Sequence, residues 1–520
     1  MAVGVQSVPQ SASVRTSARA SRCLAATVIG YFVLTVIAGA PDSPMATPLP
    51  SGAQSPRWST FLAERVGFSQ LGRPVLTAIS LLLMAGLLGA FTVLLLEARS
   101  NRVRLSAVLI AGAISLGLVA IAPVLLSRDV FSYAAYGRIY AIHHHNPYVA
   151  VPAMFSGDPF VSLTAGQWLH VHSLYGPLFT LFSASIVRTW PRSPDATILA
   201  FKLTAAAAIG AAAAFTSIAA VRIRPDRAAL AAALVALNPV VVVHTVGGAH
   251  VDALIAAPLA GALALVAAGR DVVRSSTLRA CAVTALLALA CLIKVVVTPA
   301  LVLWLWWIVR DDPWRRRIRT LAVHLSIVVG LTAVLLLPFL AGSHTFVSLA
   351  TLGGVESWAS PSRLVARGVG SVARSLAGAG SGSVASKVVT GAFLVAFATL
   401  FWRLAARRTA AARAMADGWG TSLLLLSLAL PYLLPWYSAW FVPFLGLMAD
   451  GVTMGVGVAV TGLLALTIIP ADPAHGLSAW GVMDSVHYLV APVMLALFAV
   501  LAFRIARRAD ESAALLRPPA

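Results

Sequence analysis

Apolar runs dominate this chain. They fall at 23–40, 74–96, 105–126, 197–220, 228–246, 251–269, 280–309, 320–342, 386–402, 419–449, 453–470 and 488–503, and short polar segments rich in arginine separate them. Most are close to the ~20 apolar residues that cross about 30 Å of hydrocarbon as a helix. The runs 280–309 and 419–449 are too long for one crossing. Each is interrupted, at Lys294 and at Pro435-Trp436-Tyr437, so each reads as a helical hairpin. The pattern predicts an all-α, polytopic transmembrane helical bundle of about 12–14 spans.

Composition agrees. Hydrophobic side chains make up 59% of the 520 residues and charged ones 11%, less than half the roughly one quarter usual in soluble domains. A water-soluble enzyme, a secreted disulfide scaffold and a disordered regulator are excluded. Cys23, Cys281 and Cys291 lie inside apolar runs and read as packing residues.

The net charge of +20 would suggest nucleic acid in a soluble protein, but here it has a topological explanation. Arginine clusters at 15–22, 99–104, 222–227, 270–279, 310–319, 403–413 and 504–517 hold 25 of the 38 Lys and Arg. With the N-terminus inside, all seven fall on the cytoplasmic side of a cell membrane, so no nucleic-acid partner is expected. Residues 1–22 are then a basic cytoplasmic tail, 23–503 the membrane domain and 504–520 a second cytoplasmic tail. The run 23–40 could also be a signal peptide ending at Ala38-Gly39-Ala40, but Pro41 directly after that site favours a retained span. The outer loops are 41–73, 127–196, 343–385 and 471–487. A full span at 175–190 would reverse every later cluster, so that segment is expected to be a short juxtamembrane or re-entrant helix within the large first loop. The Gly/Ala/Ser-rich stretch Gly368–Ser386 is expected to be a mobile part of the loop 343–385.

Candidate chemistry collects at the outer rim. Asp129 opens the stretch Ser127-Arg128-Asp129-Val130-Phe131-Ser132-Tyr133 and fits either a helix cap or a general base, with Arg128 and Arg138 as cations for a phosphate. His143, His144 and His145, with His170 and His172, lack a matching carboxylate set, and read as a polar loop rather than a metal site. Gly247-Gly248-Ala249-His250-Val251-Asp252 forms a turn that exposes His250 and Asp252. Lys294 either snorkels to the interface or pairs with an anion. Trp436 and Tyr437 either anchor at the interface or stack on a sugar ring. No Walker A, GxSxG or HExxH motif is present.

The ordered set Arg128-Asp129-Val130-Phe131-Ser132-Tyr133, Asn146-Pro147-Tyr148, Tyr175-Gly176-Pro177-Leu178, the His250/Asp252 turn, Lys294 and Pro435-Trp436-Tyr437 resembles the GT-C class of integral-membrane glycosyltransferases. More closely it is similar to the bacterial polyprenol-phosphate-mannose-dependent α-1,6-mannosyltransferases, over roughly residues 75–505. One departure is that the family's turn usually reads His-Asn-Asp, where this chain has His250-Val251-Asp252. The resemblance implies an extracytoplasmic site with Asp129 as catalytic base. Arg128, Arg138 and Lys294 are then the phosphate ligands, and Tyr175, His250, Asp252, Trp436 and Tyr437 line the sugar or acceptor cleft. It further implies a polyprenyl-phosphate mannose donor, a mannosylated glycolipid acceptor of the lipomannan type, membrane lipid as the surroundings, and no metal or other cofactor. Other sugars, an α-1,2 linkage and a lipid-linked saccharide carrier are the competing readings. The carrier would be expected to show two related halves, and no such repeat is visible.

Overall fold

The computed structural model describes residues 15–47, 56–269, 278–342, 357–378, 380–407, 412–471 and 486–514. Among these residues the regular elements are helices, and the β-bridge with both partners described joins Ala46 and Leu125. The helices are α1 Ala18–Ile37, α2 Arg57–Arg65, α3 Arg73–Arg99, α4 Leu105–Ala120, α5 Asp129–Ala141, α6 Pro159–Leu163 and α7 Pro177–Thr189. They continue with α8 Pro194–Ile223, α9 Ala228–Ala236, α10 Asp252–Ala267, α11 Leu278–Ile293, α12 Thr298–Val309 and α13 Trp314–Leu336. The remainder are α14 Pro361–Ala377, α15 Ser381–Ala406, α16 Ala412–Ala429, α17 Val442–Leu445, α18 Gly451–Ala465 and α19 Ala491–Ala514.

Seven described helical segments are long and apolar enough to cross a membrane: Ala18–Ile37, Arg73–Arg99, Pro194–Ile223, Pro225–Val246, Trp314–Phe339, Ser381–Ala406 and Tyr488–Arg507. Five shorter apolar helices accompany them. The segment Pro225–Val246 joins α9 to a π-helical stretch, Val240–Val246, and is almost wholly enclosed by its neighbours. By contrast, α13 and α15 turn most of their surface outward, as helices facing lipid do.

Three elements differ from the sequence expectation. The first helix starts at Ala18, not at 23. Its N-cap is Ser17, whose hydroxyl accepts from the Ala20 N–H and donates to Glu97 at 2.8 Å, so the basic start is drawn into the helix. The run 419–449 does not form two spans. After α16 the chain makes a 3-10 turn over Pro435–Trp440 and then only the four-residue α17, because Pro431, Pro435 and Pro443 remove the N–H groups a continuing helix needs. Most of Gly368–Ser386 is helical rather than mobile loop. Arg363, Arg367 and Arg374 fall on one side of α14, whereas Val365, Val369, Val372 and Leu376 fall on another. That 3.6-residue period is diluted by glycine and serine, which concealed it. The expected loops at 343–385 and 471–487 lie partly outside the described residues.

The segment 175–190 is, as expected, a short helix. At 13 residues α7 is about 20 Å long, too short for a crossing. It packs tightly on α5: Gly137 meets Ser183 where a side chain would clash, and Ser183 Oγ donates to the Tyr133 carbonyl at 2.6 Å.

Candidate functional site

Four chain segments converge on one pocket: the start of α5, the turn 247–252, the break after α11, and the Pro435–Trp440 turn. The first two are tied by backbone. The Leu125 N–H donates to the Gly247 carbonyl at 3.0 Å, and the Leu126 N–H to Met45 at 2.9 Å, with Leu126 in the left-handed conformation. Asp129 follows directly, as the first residue of α5. Its side chain caps no backbone N–H. Instead Oδ1 accepts from the Trp168 indole at 3.1 Å, and Oδ2 lies 3.7 Å from His250 Nδ1. Its side chain keeps 13% exposure. Burial pushes its pKa up to about 6, against the lowering effects of the Trp168 hydrogen bond and of Lys294.

The turn does not expose His250 and Asp252 as its sequence suggested: both are buried, and His250 lies flat on Trp436, with ring centroids 3.5 Å apart. Its Nδ1 is 3.2 Å from the Tyr133 hydroxyl, while Nε2 has no hydrogen-bond partner. Burial, and then Lys294, holds its pKa well below the usual range, so the imidazole is neutral. Glycine is required at 248, because a Cβ there would sit 2.7 Å from the His250 ring.

The sequence left Lys294 between snorkelling and pairing. It pairs: its amine donates to Asp252 Oδ1 at 3.0 Å and lies 4.3 Å from the Tyr437 ring centroid. Asp252 is fully enclosed, and Oδ1 also accepts from the Trp440 indole at 2.6 Å, whereas Oδ2 is buried without a partner. Tyr437 stacks on Trp440, and with Trp436 it faces inward rather than anchoring at an interface.

Tyr175 is placed by two motifs. In the Asn146-Pro147-Tyr148 turn, the Asn146 side chain accepts from the Tyr148 N–H, and the Tyr148 hydroxyl donates to the Tyr175 carbonyl at 2.7 Å. Gly176 then packs on the Leu292 carbonyl too closely for any side chain, and its N–H donates to Ile293 at 2.9 Å. The aromatic ring of Tyr175 meets Tyr133 edge-on at 5.0 Å.

The structure therefore brings together Asp129, Tyr175, His250, Asp252, Lys294, Trp436 and Tyr437. It gives Arg138 and Arg128 other partners. Arg138 is buried on Asp158, at 2.9 and 2.7 Å, and also donates to the Pro191 carbonyl. His143 completes that cluster at 2.7 Å from Asp158. Arg128 donates twice to the Leu163 carbonyl. Sequence reasoning missed Trp168 and Tyr133, which touch Asp129 and His250, and Trp440, which touches Asp252. Among the described residues no group of three or more His, Cys, Asp or Glu is arranged to hold a metal ion.

Residues 28–310, more than half of the chain, match a family model described as alpha-(1→6)-mannopyranosyltransferase, N-terminal domain. The match includes Asp129, His250, Asp252 and Lys294 and stops short of the Trp436 turn. No curated protein sequence matches the chain. Among solved structures, ArnT from Cupriavidus metallidurans bound to undecaprenyl phosphate aligns over 78% of this chain and 75% of its own, at 16% identity and a TM-score of 0.39.

Proposed function

The chain belongs to the alpha-(1→6)-mannopyranosyltransferase family, and on that premise we propose that it moves mannose from polyprenyl-phosphate mannose to a mannan- or lipomannan-type glycolipid, with inversion, forming α-1,6 linkages at the extracytoplasmic face of the cell membrane. The acceptor hydroxyl oxygen attacks the anomeric carbon as the carbon–oxygen bond to phosphate breaks. The hydroxyl proton goes to Asp129, and the bonding electrons leave with the polyprenyl phosphate. A phosphate monoester departs without protonation, so one base and one cation suffice, where a glycosidase needs two carboxyl groups.

The observation that carries this reading is the state of Asp129. Its carboxylate is oriented by Trp168, keeps partial exposure beside His250, and burial pushes its pKa up to about 6. A carboxylate raised in this direction by burial is a stronger base than an ordinary one. Asp252 is the poorer candidate, since it is enclosed and already holds Lys294 and Trp440. The reading gives Lys294 the departing phosphate, with Tyr175, Trp436 and Tyr437 as walls for the sugar and acceptor. It assigns no metal. Both termini lie on the cytoplasmic side in this reading.

The test is transfer of labelled mannose from polyprenyl-phosphate mannose to a short α-1,6-mannoside by membranes carrying wild type or Asp129→Asn. The amide keeps an acceptor for Trp168 but cannot take the proton. Loss of about 10²–10⁴-fold in the variant, at equal protein level, is expected for a general base. Undiminished transfer by the variant would remove Asp129 from the chemistry, and no transfer by the wild type would point to another sugar, another acceptor or a carrier.

A further inference from the structure

Lys202, in the first third of α8, is fully enclosed at 2% exposure. Its amine donates to the carbonyls of Ala122 and Pro123, the latter at 2.6 Å. Among the described residues no carboxylate lies within ion-pair distance of it. A lysine head kept deep among apolar helices without a counter-ion is costly and is retained for a specific contact.

The contact lies at the root of the pocket. Ala122 and Pro123 follow the last residues of α4, and most of the residues from there to Asp129 are held by hydrogen bonds. The Ala122 N–H donates to Val119 at 3.3 Å, Leu125 to Gly247, Leu126 to Met45 and Ser127 to the Leu125 carbonyl, and the Ser127 hydroxyl accepts from the Asp129 N–H at 3.2 Å. The Leu125 side chain lies against Gly247, three residues before His250. Lys202 supplies the anchor at the far end of this connection and satisfies two buried carbonyls that would otherwise be orphaned.

We propose that Lys202 is a positioning residue that sets the placement of Asp129 against His250 by clamping the α4–α5 connection. This inference rests on the reading of Asp129 as the base. Removing the clamp leaves substrate-binding groups such as Lys294 and Tyr437 in place, but lets the carboxylate drift. Misplacement of a reacting group by about 1 Å costs on the order of 10²-fold in rate.

The test compares full-length wild type, Lys202→Met and Lys202→Gln in lipid nanodiscs by amide hydrogen exchange and by mannosyl transfer. Lys202→Met is expected to exchange faster over residues 122–130 alone, with kcat per folded molecule down about 10–100-fold and KM within about threefold. Lys202→Gln, whose shorter amide can still donate, is expected to fall between the two. Unchanged exchange at 122–130, or faster exchange there with wild-type kcat, overturns the proposal. If Lys202→Met does not accumulate, Lys202→Gln decides by the same criteria. Because exchange is read without turnover, a failure of Asp129→Asn to abolish transfer would overturn the base while leaving the clamp result standing.

Discussion

His250 and Trp436 lie face to face, 3.5 Å between ring centroids and 12° from parallel, although 186 residues of chain separate them. The stack joins the turn that follows the π-helix to the Pro435–Trp440 turn, and it holds the imidazole edge towards Asp129.

Gly248→Ala tests whether this placement matters. The added methyl would meet His250 at 2.7 Å and force the ring off Trp436. Turnover per folded molecule is expected to fall on the order of 10²-fold, with some loss of folded protein, since the methyl would also come 2.9 Å from the His244 carbonyl. Steady-state transfer assays on purified protein check this, and wild-type turnover would show the stack to be dispensable.

The Lys294–Asp252 pair makes a prediction about stability. Removing one partner of a buried ion pair costs about 3–5 kcal/mol, because the other charge is left buried alone. Lys294→Met and Asp252→Asn should each destabilise on that scale, while the double variant should be destabilised by much less than their sum. Denaturant unfolding in detergent micelles, run as a double-mutant cycle, measures the coupling.

The pH dependence of turnover follows from Asp129. On the proposed reading protonation removes the base, so kcat/KM should be full above the pKa of the free enzyme and fall as pH drops through about 6, with the slope of a single proton. The Trp168 indole stabilises the carboxylate and lowers that pKa. Trp168→Phe should therefore move the acid limb to higher pH. A limb that stays in place in this variant would detach it from Asp129.

Arg138 distinguishes a structural cation from a substrate cation. Its guanidinium is buried on Asp158 and the Pro191 carbonyl. Arg138→Met should cost about 3–5 kcal/mol of stability, yet leave donor KM unchanged for the folded fraction. A raised donor KM with little loss of stability would return Arg138 to phosphate binding.

These residues also show what the sequence made legible. Asp129, His250, Asp252 and Lys294 stood out because each interrupts apolar sequence at a helix end, where an ionisable group needs a reason. Their partners did not stand out. Trp168 reaches Asp129 from 39 residues away, in an irregular stretch with no period to place it, and Trp440 reaches Asp252 across 188. From sequence alone Arg138 reads as a phosphate cation, since nothing marks Asp158, 20 residues on, as its counter-ion. Seven of the spans were readable from their length among the described residues. The helix α14 was not, since glycine and serine interrupt an otherwise regular amphipathic pattern.

Asp252 has one more consequence, which concerns the end of a reaction cycle rather than its start. A lipid phosphate that reaches Lys294 has to share it with a carboxylate already 3.0 Å away and held in place by Trp440. Asp252 is thus a resident rival anion that cannot diffuse off. On the proposed function, it would limit how firmly a phosphate is retained and would reclaim the lysine when the polyprenyl phosphate departs. A catalyst that must discard a long-chain anion after every transfer gains more from easy release than from tight capture.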